Sequence, residues 1–403
     1  MSTTLLARVN GLREQREQAG TRRQLQSFAA IDPRQVIDQG GEKLLSFASN
    51  DYLGLRLDPR VSAALAEGAR RFGAGAGASH LLGGQHEQHV ALAEELAAWT
   101  GQESAILFAS GYCAAIGTLP ALLGRHDHAV HDRLNHACLL DGTLLARARL
   151  SRYPHLDWRA AERLLREQSA DRASILVSDS VFSMDGDQAS VPELDSLAQR
   201  CDALLLLDEA HALGVMGPQG GGLARAHQLK SAHLLVMGTL GKALGTAGAF
   251  VAGAKVWVQH LQEHARSFIY STAPPPALAF ATRSALHIAQ RESARREHLE
   301  QLITRLQRGL QELKLAALAS SSPIQPIWLG DSQQALHAAC FLRERGIYAP
   351  AIRPPTVPDG SARLRISLSA AHQGSDVDRL LQALRDWQLS CAARSDPSPH
   401  AGR

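Results

Sequence analysis

Three short stretches carry side chains that could act on one ligand: Asp208-Glu209-Ala210-His211, Phe182-Ser183-Met184-Asp185-Gly186-Asp187, and Thr239-Leu240-Gly241-Lys242-Ala243-Leu244-Gly245. Each follows an apolar run, at 203–207, 174–181 and 233–237, that reads as a buried strand. In open parallel sheets ligands sit outside the carboxyl ends of the strands, where all three stretches would lie. Glycines at 238, 241, 245 and 248 let backbone approach a ligand closely, with the Thr239 hydroxyl beside it.

The residue types suggest a chemistry. A lysine amine forms a Schiff base with an aldehyde cofactor, and an aspartate fixes the protonated ring nitrogen of a pyridine. An ion pair of that kind shifts a pKa by roughly 1 to 3 units and keeps the ring an electron sink at neutral pH. Hydroxyls and glycine-rich turns would hold a phosphate, so the implied cofactor is pyridoxal 5'-phosphate (PLP). A lone strand-end lysine is more often a solvated turn residue, and a lone Asp-Glu-Ala-His could merely cap a helix. The order of the three stretches, each after a strand, favours chemistry over either.

The elements that would position these groups can be read along the chain. Apolar residues at helical spacing (Leu5, Leu6, Val9, Leu12) predict an amphipathic N-terminal helix packed on a neighbour. Residues 43–48 read as a strand leading into Asn50-Asp51-Tyr52-Leu53-Gly54, and Pro59 starts a helix to Phe72. Residues 86–99 predict a second amphipathic helix. Ser104 to Phe108 is a strand, after which Ser110-Gly111-Tyr112 opens a helix whose first amides could bind phosphate. Pro192 starts a further helix, Tyr270 to Pro276 breaks structure, and 277–313 reads as one long charged amphipathic helical region. Strand, helix, strand, strand and helix follow up to Trp387, a small α+β domain. Residues 391–403, rich in Ser, Pro and Arg, look like a disordered tail. The boundaries expected are therefore 1–45 for an N-terminal helix and arm, 46–285 for the large domain, 286–390 for the small one, and 391–403 for the tail.

Several competing motifs fail on context. Gly73 to Ala78 fits a dinucleotide-binding pattern, but a helix precedes it where a strand is required. His86-Glu87-Gln88-His89 lacks the second zinc-binding histidine, because position 90 is valine. His128 and His131 would point to opposite faces of a strand, so no metal is expected. In bulk, 403 residues with 45% hydrophobic content suffice for a large core, and a formal charge of +3 implies no nucleic-acid partner. Five cysteines without a Cys-x-x-Cys pair, and no signal-peptide pattern, predict a reducing cytoplasm. No apolar run approaches the roughly 18 residues of a membrane span.

From about Arg22 to Trp387 the sequence resembles the alpha-oxoamine synthases, a family of fold-type I PLP-dependent transferases. The resemblance rests on Ser49-Asn50-Asp51-Tyr52-Leu53-Gly54-Leu55, Leu134-Asn135-His136-Ala137, Val181 to Asp187, Asp208-Glu209-Ala210-His211 and Gly238-Thr239-Leu240-Gly241-Lys242. It implies an α/β fold with a mostly parallel central sheet flanked by helices, a smaller C-terminal α+β domain, and a homodimer with active sites at the subunit interface. It further implies that Lys242 holds the cofactor, Asp208 pairs with the ring nitrogen, His211 bonds the phenolic oxygen and His136 stacks on the ring. Ser183 would lie near the ring, with Gly111, Tyr112 and Thr239 near the phosphate. Thr272 would complete the phosphate site of the neighbouring subunit. Arg22, Asn50, Arg353 and Thr356 would contact substrate, with Arg23 an alternative to Arg22. The family condenses glycine, alanine or serine with an acyl thioester and releases carbon dioxide. The loop Ile352 to Pro358 with Arg363-Leu364-Arg365 most resembles the branch serving biotin synthesis, which joins L-alanine to a pimeloyl thioester of coenzyme A or a carrier protein. Departures at Ala212-Leu213, Cys138 and His80 bear on the acyl substrate more than on the cofactor. A glycine C-acetyltransferase, or a non-catalytic partner subunit, are the alternatives; such partners lose the lysine that is retained here.

Overall fold

A computed structural model describes residues 4–18, 25–167, 172–318 and 320–395. Its centre is a seven-stranded sheet in the order Ser104–Phe108, Ala249–Gly253, Leu234–Thr239, Leu204–Asp208, Ser174–Asp179, His128–Asp132, Arg149–Tyr153. Ala249–Gly253 runs antiparallel to both its neighbours and all other pairings are parallel. The central strands are apolar throughout because helices cover both faces. Alternation divides them between two cores: Val177, Leu206 and Met237 face one side, Leu176, Leu205 and Val236 the other.

Strand register sets the chemistry. Asp179 pairs with Asp208, and Asp208 with Met237, so two carboxylates stand side by side at the strand ends. Thr239 closes the adjacent strand, and Lys242 follows in the turn beyond it. That turn packs on the Leu55–Arg56 backbone, just past the Asn50–Gly54 loop: Gly245 sits at φ 65°, and a Cβ there would run into the Arg56 backbone nitrogen. Strain and overlap together should make Gly245→Ala cost about 1–3 kcal/mol, read as a lowered Tm in calorimetry.

The small C-terminal region holds the antiparallel strands Ile324–Gly330, Ala362–Ser367 and Ala351–Ile352 with helices Ser332–Arg343 and Gly374–Ser395. N-terminal strands Phe28–Ala30, Gln35–Asp38 and Lys43–Ser46 join it, because Ile347–Tyr348 pairs in parallel with Lys43–Ser46. Sequence pattern found the strand at 43–48 but missed Phe28–Ala30 and Gln35–Asp38, which have only three and four residues.

Two expectations change. The long helical region divides into Pro276–Arg291 and Ser293–Glu312 at Glu292, whose ψ of 73° is non-helical. Regular structure continues to Ser395, beyond the tail boundary expected at 391. Cys391-Ala392-Ala393-Arg394-Ser395 extends the preceding helix, since proline enters only at 397 and alanine and arginine favour helix. Residues 396–403 lie outside the described residues. The N-terminal helix Leu5–Gln18 forms as expected, yet buries no residue of its own on the single chain. Among the described residues no helix is long and apolar enough to cross a membrane, and the five cysteines are free.

His155 locks the loop that carries Ser183. Its Nδ1 lies 2.8 Å from Asp132 Oδ1 and its Nε2 lies 2.7 Å from Asp187 Oδ2. Burial opposes the charge, but the two carboxylates outweigh it and push the pKa up from 6.5 to about 9. A raised histidine pKa contributes stability that is present in full below pH 6.5 and lost as the pH climbs through about 9. Urea unfolding between pH 7 and 9.5 should therefore show a loss of at most about 3 kcal/mol from this group. His155→Gln should lack that part of the slope.

Candidate active site

A cavity of about 200 Å³ opens at the carboxyl ends of the central strands. Lys242, Asp208, His211, His136, Thr239, Gly111 and Tyr112 all line it, so seven residues singled out in the sequence meet at one place. Cys138, Asp179, Ala210, Met237 and Gly238 complete the wall.

The Lys242 ammonium lies 2.8 Å from His211 Nε2, and His211 Nδ1 lies 2.6 Å from the Tyr52 hydroxyl. Burial lowers the lysine pKa, against the pull of Asp208 and Asp179. Burial also holds His211 well below its ordinary value, reinforced by the Lys242 charge. It therefore stays neutral. For Asp208, burial raises the pKa while Lys242 opposes the rise. Asp179 is raised further, by burial and by the Asp208 charge. One oxygen of Asp208 accepts the Ala210 N–H at 2.9 Å. Asp179 accepts the His136 N–H at 2.7 Å, which ties the start of the His136 helix to the sheet.

His136 caps the helix Ala137–Ala146, its Nδ1 accepting the Cys138 N–H at 3.3 Å with Cys138 Sγ at 2.9 Å. Ser110 caps the helix Gly111–Leu122 by accepting the Cys113 N–H. The first N–H groups of a helix have no intrahelical acceptor, so Gly111 and Tyr112 offer theirs at the cavity wall. A Cβ at Gly111 would meet nothing within 4 Å, so open space borders that helix start. Glu209, fully buried, takes no part in the cavity: it accepts from Ser180 Oγ and from the Leu223 and Ala224 N–H groups.

Other expected residues lie elsewhere on the single chain. Ser183 is outside the cavity wall, and its carbonyl accepts from Arg365 Nε at 2.7 Å. Asn50 Oδ1 accepts from Tyr52 and from Arg365 Nη2, each at 3.2 Å. Thr272 is exposed and bridges Ser79. Arg353 and Thr356 border a separate depression of about 740 Å³ with Leu25, Gln26 and Phe28. Arg22 and Arg23 fall outside the described residues. Sequence reasoning missed Asp179, because it ends an apolar strand whose expected boundary ran past it.

The donor set fits PLP: a buried amine, a buried carboxylate that calls for a cation, and a helix start bordered by open space. Comparison with known proteins agrees. Residues 42–384 match the model for the aminotransferase class I and II family, and the chain belongs to that family. A serine palmitoyltransferase from S. paucimobilis, solved with a PLP–myriocin adduct, superposes with a TM-score of 0.90 at 26% identity, covering 97% of this chain and 100% of that one. Within the family the chain groups with the 8-amino-7-oxononanoate synthases. The Pseudomonas putida enzyme of that name is 50% identical over 355 residues, 88% of this chain and 90% of the relative. A solved Francisella tularensis 8-amino-7-oxononanoate synthase matches with a TM-score of 0.75 and 26% identity, over 87% of this chain and 99% of that one. The cofactor is PLP.

Proposed function

We propose that the chain condenses L-alanine with a pimeloyl thioester, giving 8-amino-7-oxononanoate, carbon dioxide and the free thiol of coenzyme A or a carrier protein. The observation that carries this reading is the meeting of Lys242, Asp208, His211 and a helix start at one cavity, in a chain half identical to synthases of that name. PLP, when bound, supplies an electron sink for the bonds broken at the alanine α-carbon. Lys242 would bind the cofactor covalently, and its amine, once the amine of the alanine has displaced it and held below its ordinary pKa by burial, would be free to take a proton. Asp208 would supply the anion for the pyridinium, with Asp179 beside it in register; burial raises both carboxyls and the Lys242 charge opposes the rise. His136 would cover the ring, while Gly111, Tyr112 and Thr239 would hold the phosphate. His211 would meet the ring oxygen from the Lys242 side. Ser183 supports this set through Arg365.

For substrate, Arg353 offers a carboxylate clamp on a proline-rich loop, with Thr356 beside it and Asn50 nearer the cavity. Arg22 belongs to the same proposal. Thr272, exposed on the single chain, would act on a second copy, making a homodimer the working unit. The domain limits at 45, 285 and 390 and a cytoplasmic setting, in keeping with free cysteines, are part of the same reading.

Mixing the loaded protein with L-alanine and pimeloyl-coenzyme A should release thiol and give a product with the mass of 8-amino-7-oxononanoate. Thiol release with glycine and acetyl-coenzyme A at a higher kcat/KM would instead assign it to glycine C-acetyltransfer.

A further inference from the structure

Behind Lys242 the hydrogen bonds run in one direction only. The Arg365 guanidinium has donors and no acceptor, so the Asn50 atom 3.2 Å from its Nη2 must be the amide oxygen. That oxygen also faces the Tyr52 hydroxyl at 3.2 Å, and being an acceptor it takes the hydroxyl proton. With its proton on Asn50, the Tyr52 oxygen accepts, beside the Arg365 guanidinium, from the atom 2.6 Å away, His211 Nδ1, which in this arrangement bears the hydrogen. A neutral imidazole carries one N–H, so Nε2 is bare where it meets the Lys242 ammonium at 2.8 Å. Tyr52 and His211 are both buried, so water does not compete for these bonds. Arg365 is itself fixed by the Ser183 carbonyl and by Ser367 Oγ.

We propose that Tyr52 is a positioning residue, which with Asn50 and Arg365 holds His211 in its Nδ1–H tautomer so that Nε2 is a proton acceptor toward Lys242. Any group that meets His211 across the cavity must then bring the proton itself. Burial of His211, which keeps it neutral, is consistent with one N–H per ring. The charged and titratable groups facing this pair from the surrounding elements are Asp208, Asp179, Arg365, Cys138 and His136. Tyr52→Phe leaves all of them in place. The proposal depends on the PLP reading only for the chromophore used in its first test.

Wild-type and Tyr52→Phe proteins, both loaded with PLP, are titrated from pH 5 to 10 while the visible band and kcat/KM for alanine are followed. Without the Tyr52 acceptor, Nε2 becomes the weaker base and the proton on the lysine-derived nitrogen leaves earlier. The midpoint should fall by about half to one pH unit, and the kcat/KM limb should move with it. A variant that loses activity or thermal stability at an unchanged midpoint would make Tyr52 merely structural and overturn the proposal. Nitrogen-15 spectra of the histidine-labelled full chain, with His211 assigned from His211→Asn, give an independent reading. The proposal requires an unprotonated Nε2 in the wild type, and a protonated Nε2 overturns it. If neither protein takes up a visible band, the cofactor reading fails while the nitrogen-15 spectra still decide the tautomer.

Discussion

Lys242→Ala should lower kcat for alanine and the pimeloyl thioester by at least about 10³-fold, because one side chain is assigned two roles. Proton transfer by a positioned group is typically worth about 10²–10⁴-fold, and loss of the covalent attachment comes in addition. The fold should survive. Lys242 lies in a turn after the strand Leu234–Thr239, and its ammonium has a single short partner in His211. An unchanged Tm beside a collapsed kcat is therefore expected in steady-state and calorimetric measurements on the same preparation. A variant that keeps wild-type turnover would remove Lys242 from the chemistry.

Asp208→Asn should have the second largest effect, with a distinct dependence on pH. The side chain is nearly inaccessible, and it pairs in register with Asp179 on one side and Met237 on the other. Its carboxylate is assigned to a ring cation whose pKa such a pair raises by roughly 1–3 units. Each unit corresponds to about a tenfold change in rate, so kcat at pH 7.5 should fall by about 10- to 10³-fold. The deficit should shrink as the pH is lowered toward 5.5, where the ring protonates without help. A deficit that is flat between pH 5.5 and 8.5 would point to lost packing and not to lost charge.

Three of the site's positions that could be read from sequence stand at or just past the end of an apolar run. Asp208 ends Leu204–Asp208, Thr239 ends Leu234–Thr239, and Gly111 opens a helix after Ser104–Phe108. A buried parallel strand must end in a loop at the sheet's carboxyl edge, so local pattern sufficed to place these groups. Tyr52 and Arg365 show the opposite case. Tyr52 meets His211 across 159 positions and Arg365 meets Asn50 across 315, and no local pattern encodes such pairs. Asp179 was hidden by its own strand. The strand Ala249–Gly253 is five residues long and follows a glycine-rich turn, and its antiparallel place between two neighbours is a property of the folded sheet. The break at Glu292 was invisible because the charged, amphipathic composition continues across it.

The assignment of Lys242 as the cofactor's anchor can be tested without turnover. PLP-loaded protein is treated with borohydride, which fixes a cofactor–lysine linkage, and digested for peptide mass spectrometry. The structure leads us to expect the added pyridoxyl phosphate mass on the peptide containing Lys242, and its absence from the Lys242→Ala protein. Its appearance on Lys43, Lys230, Lys255 or Lys314 instead, or on no lysine, would contradict the assignment.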